Sequence, residues 1–232
     1  MRCVCKSLRS LISDPKFART HLSQASTNTD YTNHRLILIT PYQVESCSLY
    51  SIWNEKSESA VRLDCPLRPP YHRVTIWGCC DGLLCIGTER EVCTWNDGLR
   101  CFRTTREVCI WNPSTRKYKG LPGVEMSRDF DGGFARFGFG YDDCIDDYKV
   151  VGFFFDSRTS KPKVKVYTLR SNSWGRLGDC PHRIPLDCLG TFVNRALHWI
   201  QLSASSYSND IIVSLERFRN LSIEMVIFMT RC

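Results

Sequence analysis

The sequence predicts an all-β fold, because from residue 35 onward it consists of short strand-like runs separated by turn signals. The runs are rich in β-branched and aromatic residues, which suit a pleated, half-buried surface. Clusters of Gly and Asp at 78–82 and 131–133 mark turns. Beyond residue 22 no amphipathic stripe is long enough for a helix. We predict strands at residues 35–40, 48–53, 61–63, 73–77, 82–86, 91–95, 107–111, 134–141, 148–155, 163–169, 191–193, 196–201 and 210–215.

A repeated hairpin makes the all-β prediction more specific. The segments that begin at Val108 and Val164 align without gaps, 56 residues apart. Each has a strand ending in an aromatic residue, a polar turn and a second aromatic residue, so the two rings can pack on one face. Hairpin repeats of about 50 residues are typical of kelch-like propeller blades, and we therefore predict a β-propeller-like domain. The repeat aromatics are Trp111, Tyr118, Tyr167 and Trp174.

A second repetition is much closer in sequence. Residues 88–96 recur at 104–112, 16 residues apart, with seven of nine positions identical. This spacing is too short for a propeller blade. We interpret it as a local duplication that inserts one redundant strand and loop, and we expect an exposed excursion around 97–104.

The first 22 residues form a different kind of segment. An apolar stripe at helical spacing predicts a short helix, which Pro15 ends because the residue before a proline is disfavoured in the α region. One interpretation is an ordinary amphipathic helix packed on its own domain. Lys6, Arg9 and Asp14 interrupt the apolar residues, so a secretory signal is not indicated. The stripe consists of Val4, Leu8, Leu11 and Ile12.

Two parts of the sequence resemble a known family. RCVCKSLRSLISDPKFARTHL is similar to the carboxyl-terminal end of an F-box, with Leu8 where that family commonly has tryptophan. From about residue 78 to 200 the chain resembles a plant F-box-associated domain. The motifs that carry this second resemblance, in the usual order of the family, are GCCDGLLCI, VCIWNPSTRKYKGLP, FGFGYDDCIDDYKVV, VKVYTLRSNSWGRLGD and FVNRALHW.

The resemblance implies a domain organisation and a fold. We expect the carboxyl-terminal part of an F-box at 1–22, a polar linker at 23–35 and an F-box-associated β domain at 36–232. The family is similar in architecture to kelch and galactose-oxidase-like propellers, so the expected fold is an all-β, propeller-like domain preceded by a short helical F-box remnant. Both ends are expected to be incomplete relative to the family.

The same resemblance implies a non-enzymatic function. Family members are substrate receptors of SCF-type ubiquitin ligases, in which the F-box docks to the adaptor protein and the β domain selects the protein to be degraded. Val4, Leu8, Leu11 and Ile12 are then the candidate adaptor-facing residues. The shortened F-box leaves a second hypothesis open, a standalone or decoy interaction domain that no longer docks to the ligase.

Composition favours an intracellular protein, cytoplasmic or nuclear, without a membrane or nucleic-acid partner. The net charge is +7, but the arginines are scattered and form no basic block. No apolar run approaches the ~20 residues of a membrane span. The 14 cysteines occur mostly in strand-like contexts, which favours reduced, buried thiols.

We identify no catalytic, metal or cofactor constellation. The five histidines are far apart, and the cysteine spacings are not those of zinc sites. Residues 142–147 contain four aspartates but lack the glycine and glutamate of a calcium loop, so we interpret them as a solvated turn. A sugar-binding or oxidase-like propeller is disfavoured, because clustered His and Tyr ligands are missing.

Overall fold

The chain, in a computed structural model, divides into two compact units, Met1–Asp64 and Cys65–Cys232. The structure describes Thr20, Gln24 and residues 34–40, 43–54, 59–67, 73–95, 99–123, 134–155, 162–179, 189–201, 211–216 and 224–229. At 90–95, 99–106, 134, 178–179, 200–201, 211–216 and 224–229 it describes the backbone alone. Thr20 and Gln24 are helical. The rest of the predicted F-box segment 1–22 and most of the linker 23–35 lie outside the described residues.

The first unit contains a three-stranded antiparallel sheet in the order β1-β2-β3. Its elements are β1 (Arg35–Ile39), β2 (Val44–Ser48), a short helix α1 (Leu49–Trp53) and β3 (Val61–Leu63). The predicted strand at 48–53 is therefore wrong. The Ser48 side chain accepts a hydrogen bond from the Ser51 backbone N–H at 3.3 Å, and this N-cap turns the chain into a helix instead.

The second unit contains three four-stranded antiparallel sheets, each formed by four consecutive strands, which we call the first, second and third blades. Every strand pairs with its neighbours in sequence, so each blade is a meander. The first blade comprises β4 (Arg73–Cys80), β5 (Leu83–Trp95), β6 (Leu99–Asn112) and β7 (Lys117–Gly120). The second comprises β8 (Phe134–Asp142), β9 (Asp147–Phe155), β10 (Lys163–Thr168) and β11 (Ser173–Asp179). The third comprises β12 (Thr191–Val193), β13 (Ala196–Gln201), β14 (Ile211–Glu216) and β15 (Glu224–Met229).

The first strands of the three blades lie side by side. Strand β4 contacts β8, and β12 contacts both. A parallel bridge joins Gly138 of β8 to Gly190, just before β12. Each blade therefore begins at its innermost strand, as in a β-propeller. The structure confirms the predicted all-β, propeller-like fold.

Two hydrophobic clusters fill the spaces between successive blades. One lies between the first and second blades and contains Trp77, Phe137 and Tyr167, and the other, between the second and third, contains Leu197 and Trp199. Phe153 and Phe154 are adjacent on β9 and belong to different clusters, because successive strand residues point to opposite faces. The inner strand β9 of the second blade is therefore buried on both faces. This is why β9 is apolar over almost its whole length rather than alternating.

The duplicated segment lengthens a hairpin and adds no strand. The pairing of β5 with β6 runs from Leu84↔Trp111 to Trp95↔Leu99. The first copy, 88–96, therefore pairs mainly with residues 99–105, and most of the second copy pairs with residues that precede the first. The first blade keeps four strands. The expectation of a redundant strand is wrong for the described backbone, since residues 99–104 belong to β6. The expected exposure around 97–104 stays a prediction, because the structure describes only the backbone of 99–104.

We expect deletion of residues 88–103 to leave the fold intact. The pairs from Leu84↔Trp111 to Gly87↔Val108 remain, and residues 104–107 supply a four-residue hairpin connection. Because the deletion also removes Glu89, whose buried carboxylate pairs with Arg136 and accepts a hydrogen bond from the Thr75 hydroxyl, the thermal midpoint should fall by roughly 10 °C, about 3 kcal/mol. Differential scanning calorimetry measures it. Loss of cooperative unfolding would show that the extension is required for folding.

Seven cysteines have described side chains, and none of these seven forms a disulfide bond. Cys47, Cys65, Cys85 and Cys109 are buried, whereas Cys79 and Cys144 are exposed. Burial raises the pKa of Cys85 above that of an ordinary thiol, and it does the same for Cys109. These buried thiols are protonated at neutral pH and act as small apolar residues in the sheets. Among the described residues, the helical segments are too short or too polar to cross a lipid bilayer.

Candidate functional site

Three hairpins of the first two blades are closed by four-residue turns of the same kind. The turns occupy 113–116, 143–146 and 169–172. In each, the last residue adopts a left-handed conformation, with φ of 61° at Arg116, 54° at Asp146 and 52° at Asn172. Asp and Asn tolerate this conformation better than most residues do.

An aromatic pair lies at the base of each of these turns. Trp111 lies opposite Tyr118, Tyr141 opposite Tyr148, and Tyr167 opposite Trp174. The Tyr167 hydroxyl donates to Asn172 Oδ1 at 2.9 Å, and the Tyr141 hydroxyl donates in the same way to Asp146 Oδ1. In two of the hairpins the strand thereby fixes the side chain of the left-handed residue, so turn and strand form one rigid unit.

These turns emerge at one end of the blades. In a four-stranded meander the first and third connections lie at the same end, and the inner strands lie side by side. We call the resulting surface the turn face. It consists of residues 81–82, 113–116, 143–146, 169–172 and 194–195.

The acidic turn of the second blade is anchored by contacts of the two buried aspartates that flank it. Asp142 is buried, and its Oδ2 lies 2.6 Å from Lys149 Nζ, while its Oδ1 accepts the Cys144 backbone N–H at 3.0 Å. Buried Asp147 accepts the backbone N–H of Arg170 at 2.8 Å. Two of the four carboxylates thus stabilise the hairpin and are not solvated, contrary to the interpretation from sequence.

Three polar contacts connect neighbouring blades at the turn face. The Tyr148 hydroxyl donates to Asp81 Oδ2 at 3.0 Å, and burial together with the negative Asp81 raises the pKa of Tyr148. Lys119 Nζ donates to the Leu169 carbonyl at 3.4 Å. The guanidinium of Arg195, in the third blade, lies 2.7 Å from Asp143 Oδ2 in the second. These contacts link the turns of neighbouring blades to one another.

A basic cleft lies on the outer strands of the second blade. It has a volume of about 350 Å³ and is lined by Lys163 and Lys165 of β10 and by Trp174 and Arg176 of β11. The half-buried Trp174 donates its indole N–H to the Pro122 carbonyl at 3.1 Å. Its ring packs against Tyr167 and Phe154, with centroids 5.5 and 5.9 Å away. Among the described residues, the cleft therefore has an aromatic wall and three cationic side chains.

Comparison with known proteins identifies the family. Residues 35–228, most of the chain, match the F-box associated beta propeller domain. The chain belongs to the F-box-associated β-propeller domain family. This confirms the resemblance to a plant F-box protein that its motifs indicated.

Similar proteins with F-box names occur in Arabidopsis thaliana. F-box/kelch-repeat protein At3g23880 is 28% identical over 216 residues, which cover 88% of this chain and 54% of that protein. Putative F-box protein At3g16210 is 28% identical, covering 88% and 49%. F-box protein CPR1 is 27% identical, covering 86% and 48%. The chain thus spans about half the length of these relatives.

A solved structure also aligns with this F-box-associated domain, although only distantly. TolB from Acinetobacter baumannii covers 98% of this chain and 60% of its own, with 11% identity and a TM-score of 0.35. At that level the likeness supports no conclusion about fold or function.

Within the F-box-associated domain, the repeat aromatics differ in exposure. Trp111 and Tyr167 are buried, Trp174 is half-buried, and Tyr118 is 61% exposed on the outer strand β7. The candidate adaptor-facing residues Val4, Leu8, Leu11 and Ile12 lie outside the described residues.

Sequence analysis missed the basic cleft of this domain. Its cations are separated along the chain and form no basic block. One signal in the sequence could have revealed it. Lys163 and Lys165 are two residues apart on one strand, and Trp174 and Arg176 are two residues apart on the strand that pairs with it. Because side chains two residues apart point to the same face of a sheet, all four can share one face.

Proposed function

We propose that this protein is the target-binding subunit of an SCF-type ubiquitin ligase. In this role the F-box docks to the ligase adaptor, and the β domain binds the protein that is to be ubiquitinated and degraded. Family membership and the F-box names of its relatives support the proposal. The ligase chemistry would reside in partner subunits, so the chain acts by positioning a target rather than as an enzyme. Its place of action would be the cytoplasm or the nucleus.

The turn face is the observation that carries the proposal. Contacts between blades link its turns, and Ile145 is 41% exposed. The side chains of Arg170 and Arg195 are 67% and 78% exposed and pair with Asp146 and Asp143. A surface that is already rigid loses little conformational entropy on binding. Arginine is enriched at the energetic centres of protein interfaces. The turn face is therefore suited to hold another protein.

A pull-down of the purified chain with the SCF adaptor tests the ligase part of the proposal. We expect the chain to retain the adaptor, and we expect Leu8→Asp or Leu11→Asp to reduce retention at least about tenfold, because a charge would replace an apolar contact. Ser10→Asp is the matched control, since Ser10 falls on the opposite side of the predicted helix and receives the same charge.

The outcomes of this experiment are distinct. Retention that is lost in both leucine variants and kept in the Ser10 variant supports the ligase-receptor function. A folded, monodisperse chain that retains no adaptor contradicts it. That result would favour the alternative hypothesis from the sequence, a free-standing interaction domain that does not dock to the ligase.

A further inference from the structure

A basic turn lies at the rim of the turn face in the first blade. Arg116 ends the turn 113–116, and Lys117 and Lys119 follow it on β7. We call these three residues the basic turn, and all three side chains are exposed. Lys119 Nζ donates to the Leu169 carbonyl at 3.4 Å, which places the basic turn beside the turn 169–172 of the second blade.

The positive charges of the basic turn are not compensated in the part of the chain that the structure describes. None of its three cations forms an ion pair with a carboxylate. The residues opposite Lys117 and Lys119 on β6 are Asn112 and Ile110, which are uncharged. In the second and third blades, by contrast, the charges near the turns pair with one another: Asp142 with Lys149, Asp143 with Arg195, and Asp146 with Arg170.

Arg116 occupies a backbone position that is unfavourable for arginine. Its φ of 61° is left-handed, and the other two turns have Asp146 and Asn172 at this position, which are the residue types that tolerate the conformation better. In those turns a tyrosine hydroxyl from the strand also bonds the side chain. The first blade has Trp111 at that strand position, and its indole cannot bond a guanidinium because both groups only donate. The backbone cost of Arg116 is thus not offset in this way, which favours a role for its side chain outside the turn.

We infer that the basic turn binds an acidic segment of the target protein. Carboxylates of that segment would pair with Arg116, Lys117 and Lys119 at the rim of the turn face. Clusters of basic side chains recognise acidic motifs in this way, and complementary charge contributes mainly to association rate and specificity. This inference rests on the proposed function, because it takes the target of a receptor as the occupant. It adds the chemistry that the target presents.

The test uses a fluorescein-labelled oligoglutamate peptide, titrated with the whole chain at low salt and followed by fluorescence anisotropy. We expect saturable binding that weakens at least about tenfold when Arg116, Lys117 and Lys119 are all replaced by glutamine, because three charge pairings are lost. A peptide in which glutamine replaces glutamate should not bind. The matched control replaces two lysines and one arginine of the second blade by glutamine, and it should leave the affinity within about twofold. Its positions are Lys163, Lys165 and Arg176.

The variant Arg116→Asn separates a binding role from a structural one. Asparagine tolerates the left-handed conformation better than arginine does, so we expect the thermal midpoint to rise by about 1–3 °C. The same variant loses one cation and should weaken peptide binding about threefold. A side chain that merely stabilised the turn would give a lower thermal midpoint instead.

Several results would overturn the inference. These are no binding by the folded wild-type chain, equal weakening in the control variant, a lower thermal midpoint in Arg116→Asn, or tighter binding of a single-stranded RNA of equal charge. Circular dichroism shows whether the triple variants fold, and Lys117→Gln against Lys163→Gln is the milder pair if they do not. Adaptor retention without peptide binding removes this inference alone. Peptide binding without adaptor retention removes the ligase proposal alone.

Discussion

Replacement of Trp199 by alanine is expected to destabilise the second unit by about 3–5 kcal/mol. Trp199 is fully buried between the second and third blades, and its ring meets Phe153 edge-on with centroids 4.9 Å apart. Two glycines make room for it: a Cβ on Gly138 would lie 2.8 Å from Trp199 Cζ2, and one on Gly190 would lie 2.6 Å away. Truncation would leave a cavity that these backbone segments cannot fill by side-chain movement. Urea denaturation followed by circular dichroism measures the loss.

Two further variants separate this packing from a general effect of mutation. Trp199→Phe should cost less, because much of the ring remains and because the buried indole N–H has no hydrogen-bond partner among the described residues. Gly138→Ala should cost about 1–3 kcal/mol in the wild type and less in Trp199→Phe, which lacks the nearest atom that the new methyl group meets, although the contact with Leu197 Cδ2 at 3.1 Å remains. Additive costs would contradict the fit between glycine and tryptophan.

Removal of the Lys149 charge is expected to be comparably severe. In Lys149→Met the buried carboxylate of Asp142 loses its cation, whose Nζ lies 2.6 Å away. Deletion of one member of a buried pair typically costs about 3–5 kcal/mol, because the remaining charge stays desolvated. The measurement is the free energy of unfolding in urea at neutral pH.

The double variant Asp142→Asn, Lys149→Met is the informative comparison. It removes both charges and keeps an amide oxygen for the Cys144 backbone N–H, so it should recover most of the lost stability. Arg195→Met breaks the exposed pair with Asp143 and should cost at most about 1 kcal/mol. If Lys149→Met and Arg195→Met lower the free energy of unfolding by the same amount, burial does not determine the strength of these ion pairs.

The sequence predicts many of the blade strands because they carry strand-forming residues between turn signals. The β12 and β13 strands have the predicted bounds, and β8 to β10 differ from prediction by one residue at an end. Prediction fails where a local hydrogen bond overrides composition. Residues 48–53 contain apolar and aromatic residues typical of a strand, yet the Ser48 cap begins α1 there. Strand β2 was missed because VESCS has only one β-branched residue.

The sites were harder to predict than the fold, because they depend on strand pairing between distant residues. Lys165 and Arg176 become neighbours only through the register of β10 with β11, which includes a bulge after Val164. The link between Tyr148 and Asp81 joins residues 67 positions apart in different blades. Neither contact has a signal in local composition. The aromatic repeat predicts the hairpins correctly, because each copy of the pattern lies within one hairpin and needs no distant partner.

The lengthened hairpin of the first blade has an evolutionary consequence. The tandem duplication adds residues at the tip of β5 and β6, so the pairs at the base of the hairpin, such as Leu84↔Trp111, keep their partners. That tip points to the end of the blade opposite the turn face, since successive connections of a meander alternate between ends. Coding sequence can therefore expand or contract at this end, one hairpin at a time, without disturbing the surface at the other. In this chain the two ends of the blade are therefore structurally independent: the length of the hairpin can change at one end while the turns at the other keep their positions.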